Sequence, residues 1–289
     1  MGNLIIALFL FSVIAIFLGV LFIWRRKLDR DNEFKKVNFA IFVIGMCGWT
    51  IALLIRLIPL QLLQLGTLFL LGADLTNTAS FEPFLTNFWV IWWGPLLAGI
   101  VEGGTRYFCF VLYKKSKNDP KNSAFFLGIG WTLAEIVVVY FIPLIAVVVS
   151  NTPQLVFGDS LIGLYERLIA SVAHIIFSYF AFYALFEAKN RKISLILAMG
   201  WHFLLDFMIV LWIIAFSNLA VSNPYLYILS LEGAITLVVL VAIVFWIKFW
   251  FPRCKATMQT YIENRNKPPE FRPPTTIDDI KIDSGVFNK

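Results

Sequence analysis

Residues 199–208 read Met-Gly-Trp-His-Phe-Leu-Leu-Asp-Phe-Met, placing His202 and Asp206 four apart inside a long apolar run. On a helix that spacing puts both groups on one face. Other apolar runs carry Glu102 and Arg106, Glu135, Glu166, Arg167 and His174, and Glu232. His174 and His202 are the only 2 histidines of the chain. Such residue types suit hydrolysis. A carboxylate takes a proton from water, and a neutral imidazole donates to the oxyanion that forms. Arginine beside a carboxylate keeps it charged. Two histidines with carboxylates also suit zinc, with His174, His202 and Glu102 as the ligands. The spacing is not H-E-x-x-H, however, and no one run carries both histidines, so hydrolysis without metal is the stronger reading.

The elements that hold these groups are set by composition. The chain has 289 residues, of which 60% are hydrophobic and 15% charged, well below the charge content of soluble domains. Its mean hydropathy is +0.80. A spanning helix needs about 20 mostly apolar residues. Seven runs qualify, at about 3–23, 38–58, 87–113, 124–149, 161–187, 193–216 and 225–251. The expected fold is therefore an all-α polytopic membrane bundle. A transmembrane domain of seven helices covers 1–251, with the polar site in helices 3–6. The first run has no charged leader and no cleavage site, so it reads as a retained anchor. Residues 59–75 follow Pro59 closely and read as a short interfacial or re-entrant helix.

Charge sets the orientation. Lysines and arginines fill the stretches 25–36, 114–121 and 189–192, whereas 76–86, 150–160 and 217–224 hold none. Positive loops stay cytoplasmic, which puts the N-terminus outside and the C-terminus inside, in a cell or plasma membrane. Residues 252–289 are polar and Pro-rich and read as a cytosolic tail. Cys47, Cys109 and Cys254 form neither a disulfide framework nor a metal spacing, and the net charge of +6 lies in loops and tail, which speaks against nucleic acid as a partner.

Depth brings the polar groups together. At 1.5 Å per residue, Glu102 lies about 18 Å from Lys114, Glu135 about 21 Å from Lys121 and His174 about 22 Å from Lys189. By the same rise His202 lies about 15 Å and Asp206 about 21 Å from Lys192. In a core ~30 Å thick, all five fall in the middle third, on four helices. Arg106 sits about 12 Å from the cytosolic edge on this count. Glu166 and Arg167 fall nearer the outer boundary and read as interfacial anchors. Each residue has a plainer alternative. Glu102 and Arg106 can form a structural i,i+4 pair, the histidines can bridge helices, and Asp206 can orient His202. Gly103 and Gly104 either let the helix bend or allow close helix contact, as Gly128 and Gly130 would.

Four segments in order resemble the YhfC family of bacterial membrane proteins, which are read as intramembrane peptidases. They are VEGGTRYFCFVLYKK from Val101, LGIGWTLAE ending at Glu135, GLYERLIASVAHIIFSYFAFYAL with Glu166, Arg167 and His174, and MGWHFLLDF with His202 and Asp206. They cover roughly half the chain. That family is similar in layout to the CAAX-processing and PrsW-type membrane proteases and to the anterior-pharynx-defective subunit of γ-secretase, a seven-span scaffold. The resemblance implies Glu102 as the base that activates water, with His174 and His202 stabilising the oxyanion or positioning water. Glu135 and Asp206 would support them, and Arg106 would hold the carboxylate. Where the family carries a second acid this chain has Gly103, and where it carries a histidine this chain has Trp131. Two functions follow as expectations: an intramembrane endopeptidase cutting a membrane-embedded or membrane-proximal peptide, or a noncatalytic scaffold that binds partner transmembrane helices.

Overall fold

The computed structural model describes residues 9–17, 19–20, 23, 34–84, 87–113, 120–149, 157–185, 191–253, 256, 260 and 263. The described part of the first expected span, residues 9–17, 19–20 and 23, is helical; the rest of that span, the basic stretches before Phe34 and after Tyr113, Cys254 and nearly all of the tail lie outside the described residues. Among the described residues there is helix and no strand. The helices are α1 (Phe34–Leu70), α2 (Phe88–Ile91), α3 (Trp93–Leu112), α4 (Pro120–Glu135), α5 (Ile142–Val149), α6 (Phe157–Tyr183), α7 (Arg191–Ala215), α8 (Ser217–Ser222) and α9 (Pro224–Phe245).

Five stretches are long and apolar enough to cross a membrane: Phe39–Leu70, Asn122–Ala146, Leu161–Tyr183, Lys192–Ala215 and Pro224–Arg253. The protein is membrane-embedded by that measure. The expected third span, 87–113, is helical over Trp93–Leu112. It misses that apolarity because Glu102, Arg106 and four glycines, Gly94, Gly99, Gly103 and Gly104, dilute its apolar residues. Side chains such as Phe39, Leu62 and Leu112 stand exposed on the bundle, a surface suited to hydrocarbon rather than water.

One expectation is corrected. Residues 59–70 do not form a separate re-entrant helix. They continue α1, which passes through Pro59 without ending. A proline removes one backbone hydrogen bond, and membrane helices tolerate the loss where neighbouring groups compensate. The continuation is tied to its neighbours by Gln64 donating to the Val90 carbonyl and by Trp93 Nε1 donating to Thr67 Oγ1 at 3.0 Å. The helix stops only at Gly72, whose φ of +88° suits glycine. There Ala73 N–H reaches the Leu68 carbonyl at 2.9 Å, which closes the last turn.

Glycines set how closely the helices pack. A Cβ at Gly130 would lie 2.0 Å from the Phe42 carbonyl oxygen, and one at Gly45 would lie 2.4 Å from the Leu127 carbonyl oxygen. Backbone therefore meets backbone where α1 crosses α4. On the opposite side of α4, a Cβ at Gly128 would lie 2.7 Å from Ile175 Cα of α6. Gly99 meets α7 in the same way, 2.7 Å from the Met199 carbonyl oxygen. The small residues thus do what they commonly do in membrane bundles.

Directly after Glu135 the helix widens into π turns over Ile136–Phe141, with the Ile142 N–H bonding back to the Val137 carbonyl. It then resumes as α5. Such wide turns are rare and re-aim the side chains around them.

Candidate functional site

Helices α1, α3, α4, α6, α7 and α9 converge on a cavity of about 190 Å³. Its walls include Glu102 of α3, Glu135 at the end of α4, His174 of α6, and His202 and Asp206 of α7. Arg106 lies just beneath, fully buried. Its guanidinium joins the two histidines: one terminal nitrogen lies 3.0 Å from His202 Nδ1, and the other 2.6 Å from His174 Nδ1. Arginine has donors only, so both Nδ1 atoms accept, and each neutral ring carries its proton on Nε2. The ring centroids are 5.6 Å apart. Phe177 stacks on His202 at 5.3 Å and fixes that ring's plane.

The carboxylates differ in what surrounds them. Glu102 Oε1 accepts from Arg56 at 2.7 Å, and Oε2 accepts from Trp131 Nε1 at 3.0 Å, with Arg106 at 3.6 Å. Glu135 is divided between Arg167, at 2.5 Å, and His174 Nε2, which donates to its other oxygen. Arg167 also pairs with Glu166. Asp206 accepts no hydrogen bond from the described residues, and 33% of its side chain is exposed. His202 Nε2 stands 3.6 Å from Asp206 and 3.7 Å from Glu102. Both distances exceed a direct hydrogen bond, and a water in the cavity beside the pair is within reach of both donor and carboxylate.

Three residues needed here were not singled out from the sequence or were assigned another task. Arg56 is a lone arginine in an apolar stretch, a signal present in the sequence. Glu166 and Arg167, expected as interfacial anchors, line the same cavity as Glu135 and His174. Arg167 stands two turns before His174, and its long side chain reaches Glu135, so depth counted from Cα positions misplaces its charge. Trp131 packs its ring 4.2 Å from the Arg106 guanidinium carbon and bonds Glu102. At Gly103 an acid would not face the cavity, because a Cβ there would lie 2.7 Å from the Met199 side chain of α7.

Zinc does not fit these residues. Arg106 occupies Nδ1 of both histidines, and His174 Nε2 is held by Glu135. Among the described residues no three His, Cys, Asp or Glu side chains gather as a metal would require. Compared with protein-family models, with curated proteins and with solved structures, the chain has no match.

Proposed function

We propose that the protein is an intramembrane endopeptidase that hydrolyses a membrane-embedded or membrane-proximal peptide with a carboxylate-activated water. The carrying observation is the pairing of Asp206, which no described side chain engages, with the Nε2–H of His202, 3.6 Å away, in a cavity held within apolar helices. In this reading Asp206 takes a proton from water as the oxygen adds to the peptide carbonyl. The Nε2–H of His202 and the exposed edge of Arg56 stabilise the oxyanion, and Asp206 returns its proton to the leaving amine. Glu102, the base implied by family resemblance, serves instead to hold Arg56, because arginine and Trp131 already engage both its oxygens. Arg106 fixes the tautomers. The likeness of four ordered motifs to the YhfC family favours a peptide over other hydrolysable substrates. The wider reading is a chain of seven spans in a cell membrane, N-terminus outside and C-terminus cytoplasmic.

A second reading, a noncatalytic scaffold that binds partner helices, is favoured by a specific observation: Glu102, Glu135 and Glu166 each have an arginine. Carboxylates paired in this way also serve as structural glue. Cleavage in liposomes decides between them. Wild type, Asp206→Asn and Glu102→Gln are compared on a panel of single-span peptides. The peptidase reading expects cleavage by wild type that Asp206→Asn lowers by about 10²–10⁴-fold, the range of general-base catalysis. A folded wild type that cuts nothing would leave the scaffold.

A further inference from the structure

Beyond this cavity, α9 carries a carboxylate that the hydrolytic reading does not use. Glu232 is only 7% exposed, and its Oε2 has no hydrogen-bond partner among the described residues. It lines a separate cavity of about 370 Å³ between α6 and α9, together with Leu161, Ile162, Tyr165, Leu229 and Gly233. The nearby hydroxyls are already engaged with each other and with backbone. Tyr165 Oη and Thr236 Oγ1 are 2.7 Å apart, and Thr236 donates to the Glu232 carbonyl. A buried carboxylate without a donor is expensive in an apolar surrounding, and in a membrane segment it marks a binding group.

The position of the pocket narrows the ligand. The apolar stretch Pro224–Arg253 is 30 residues long, so it spans about 45 Å at 1.5 Å per residue. Centred on a hydrocarbon core ~30 Å thick, it puts Glu232 roughly 5 Å inside the boundary. A headgroup drawn slightly inward reaches that level. Around the carboxylate the walls are aliphatic, from Leu161, Ile162 and Leu229, and they match an alkyl chain. At Gly233 an added Cβ would meet nothing within 4 Å, so the pocket stays open there. An ammonium is compact, carries up to three donors and forms charge-assisted bonds to carboxylate.

We propose that the α6–α9 pocket binds an ammonium-headed amphiphile, with its N–H groups on Glu232 and its alkyl chain along Leu161, Ile162 and Leu229. Its source is either an ethanolamine lipid of the bilayer or a free alkylamine. The test is native mass spectrometry of the full chain in detergent, with lysophosphatidylethanolamine and lysophosphatidylcholine of the same acyl chain as probes. Only the first has ammonium N–H groups, so wild type should favour it by about tenfold, as charge-assisted hydrogen bonds predict. Glu232→Gln and Gly233→Leu should each abolish the preference, the second by placing a side chain in the pocket at a position whose added Cβ meets nothing within 4 Å. Dodecylamine that displaces the bound lipid supports a site satisfied by the amine alone, and failure to displace it supports the intact lipid headgroup. Equal binding of the two lysolipids by wild type, or a preference that survives in both variants, overturns the proposal. So does a site that takes a lysine-bearing single-span peptide and neither lysolipid nor amine.

Discussion

Arg106 and His174 face each other across the floor of the cavity, with a guanidinium nitrogen 2.6 Å from the ring Nδ1. Because the other end of the same guanidinium holds His202, one side chain sets the proton positions of both histidines. The chain has 2 histidines in all, so a ¹⁵N-histidine spectrum contains only their signals. Both should show the Nε2–H tautomer in wild type. Arg106→Lys, which cannot span two rings, should release at least one of them. Removing one partner from a buried charged network costs about 3–5 kcal/mol. Arg106→Gln should therefore lower the unfolding midpoint in detergent far more than a surface arginine change would.

Trp131 combines a hydrogen bond with packing. Trp131→Phe keeps an aromatic face beneath Arg106 but removes the Nε1–H bonded to Glu102 and part of a fully buried ring system. The hydrogen bond to a charged group accounts for about 1.5–3 kcal/mol of the expected loss, and the cavity left by the smaller ring adds to it. Trp131→His leaves a larger unfilled volume, so it should destabilise the protein more than Trp131→Phe does. Denaturant unfolding of the two variants side by side checks the order.

Arg167 is shared by Glu135 and Glu166. Arg167→Gln should be more damaging alone than in combination with Glu135→Gln, because the single change strands a carboxylate beside His174. The interaction energy from the double-mutant cycle should fall within about 0.5–3 kcal/mol, as for residues in one network. Simple additivity would mean that the two side chains act independently.

Two glycine changes separate close packing from helix propensity. At Gly130 a Cβ would press on the Phe42 carbonyl oxygen, so Gly130→Ala must force α1 and α4 apart, at a cost of about 1–3 kcal/mol or more. At Gly200 nothing lies within 4 Å of the added carbon. Gly200→Ala should therefore be neutral or stabilise the protein by up to about 1 kcal/mol. Thermal unfolding midpoints should move in opposite directions or, at least, differ clearly.

Outside the spans, Asp74 accepts from the Thr76 hydroxyl at 2.7 Å and from the Thr76 backbone N–H at 2.9 Å. These bonds hold its carboxyl below the ordinary carboxylate value. A lowered folded-state value means that the stabilisation is present above the unfolded value and fades as pH falls through the folded one. Thr76→Val removes the stronger bond and should move the Asp74 titration upward. Carboxyl ¹³C shifts of the wild type and variant would show it.

The sequence made the helices and the shared depth of Glu102, Glu135, His174, His202 and Asp206 legible, because apolar runs and a fixed rise per residue suffice for both. Rotation about each helix axis and side-chain reach were not legible from those rules. Gly103 faces Met199, and Trp131 faces Glu102, for reasons that lie in the crossing of helices. Arg56 and Arg167 entered the site through side chains long enough to leave the level of their own Cα atoms. Pro59 marked an end that α1 does not have, since local chemistry permits a stop that packing overrides.

The π turns after Glu135 amount to one residue more than an α-helix would use between the site and α5. Wide turns use more residues per turn than an α-helix, so the extra residue is absorbed within 136–141 and the helix beyond keeps nearly the same angle to Glu135. Deleting one residue there would restore regular winding and re-aim the side chains between Glu135 and α5, including Val139 of the cavity wall, while leaving the cavity's histidines untouched.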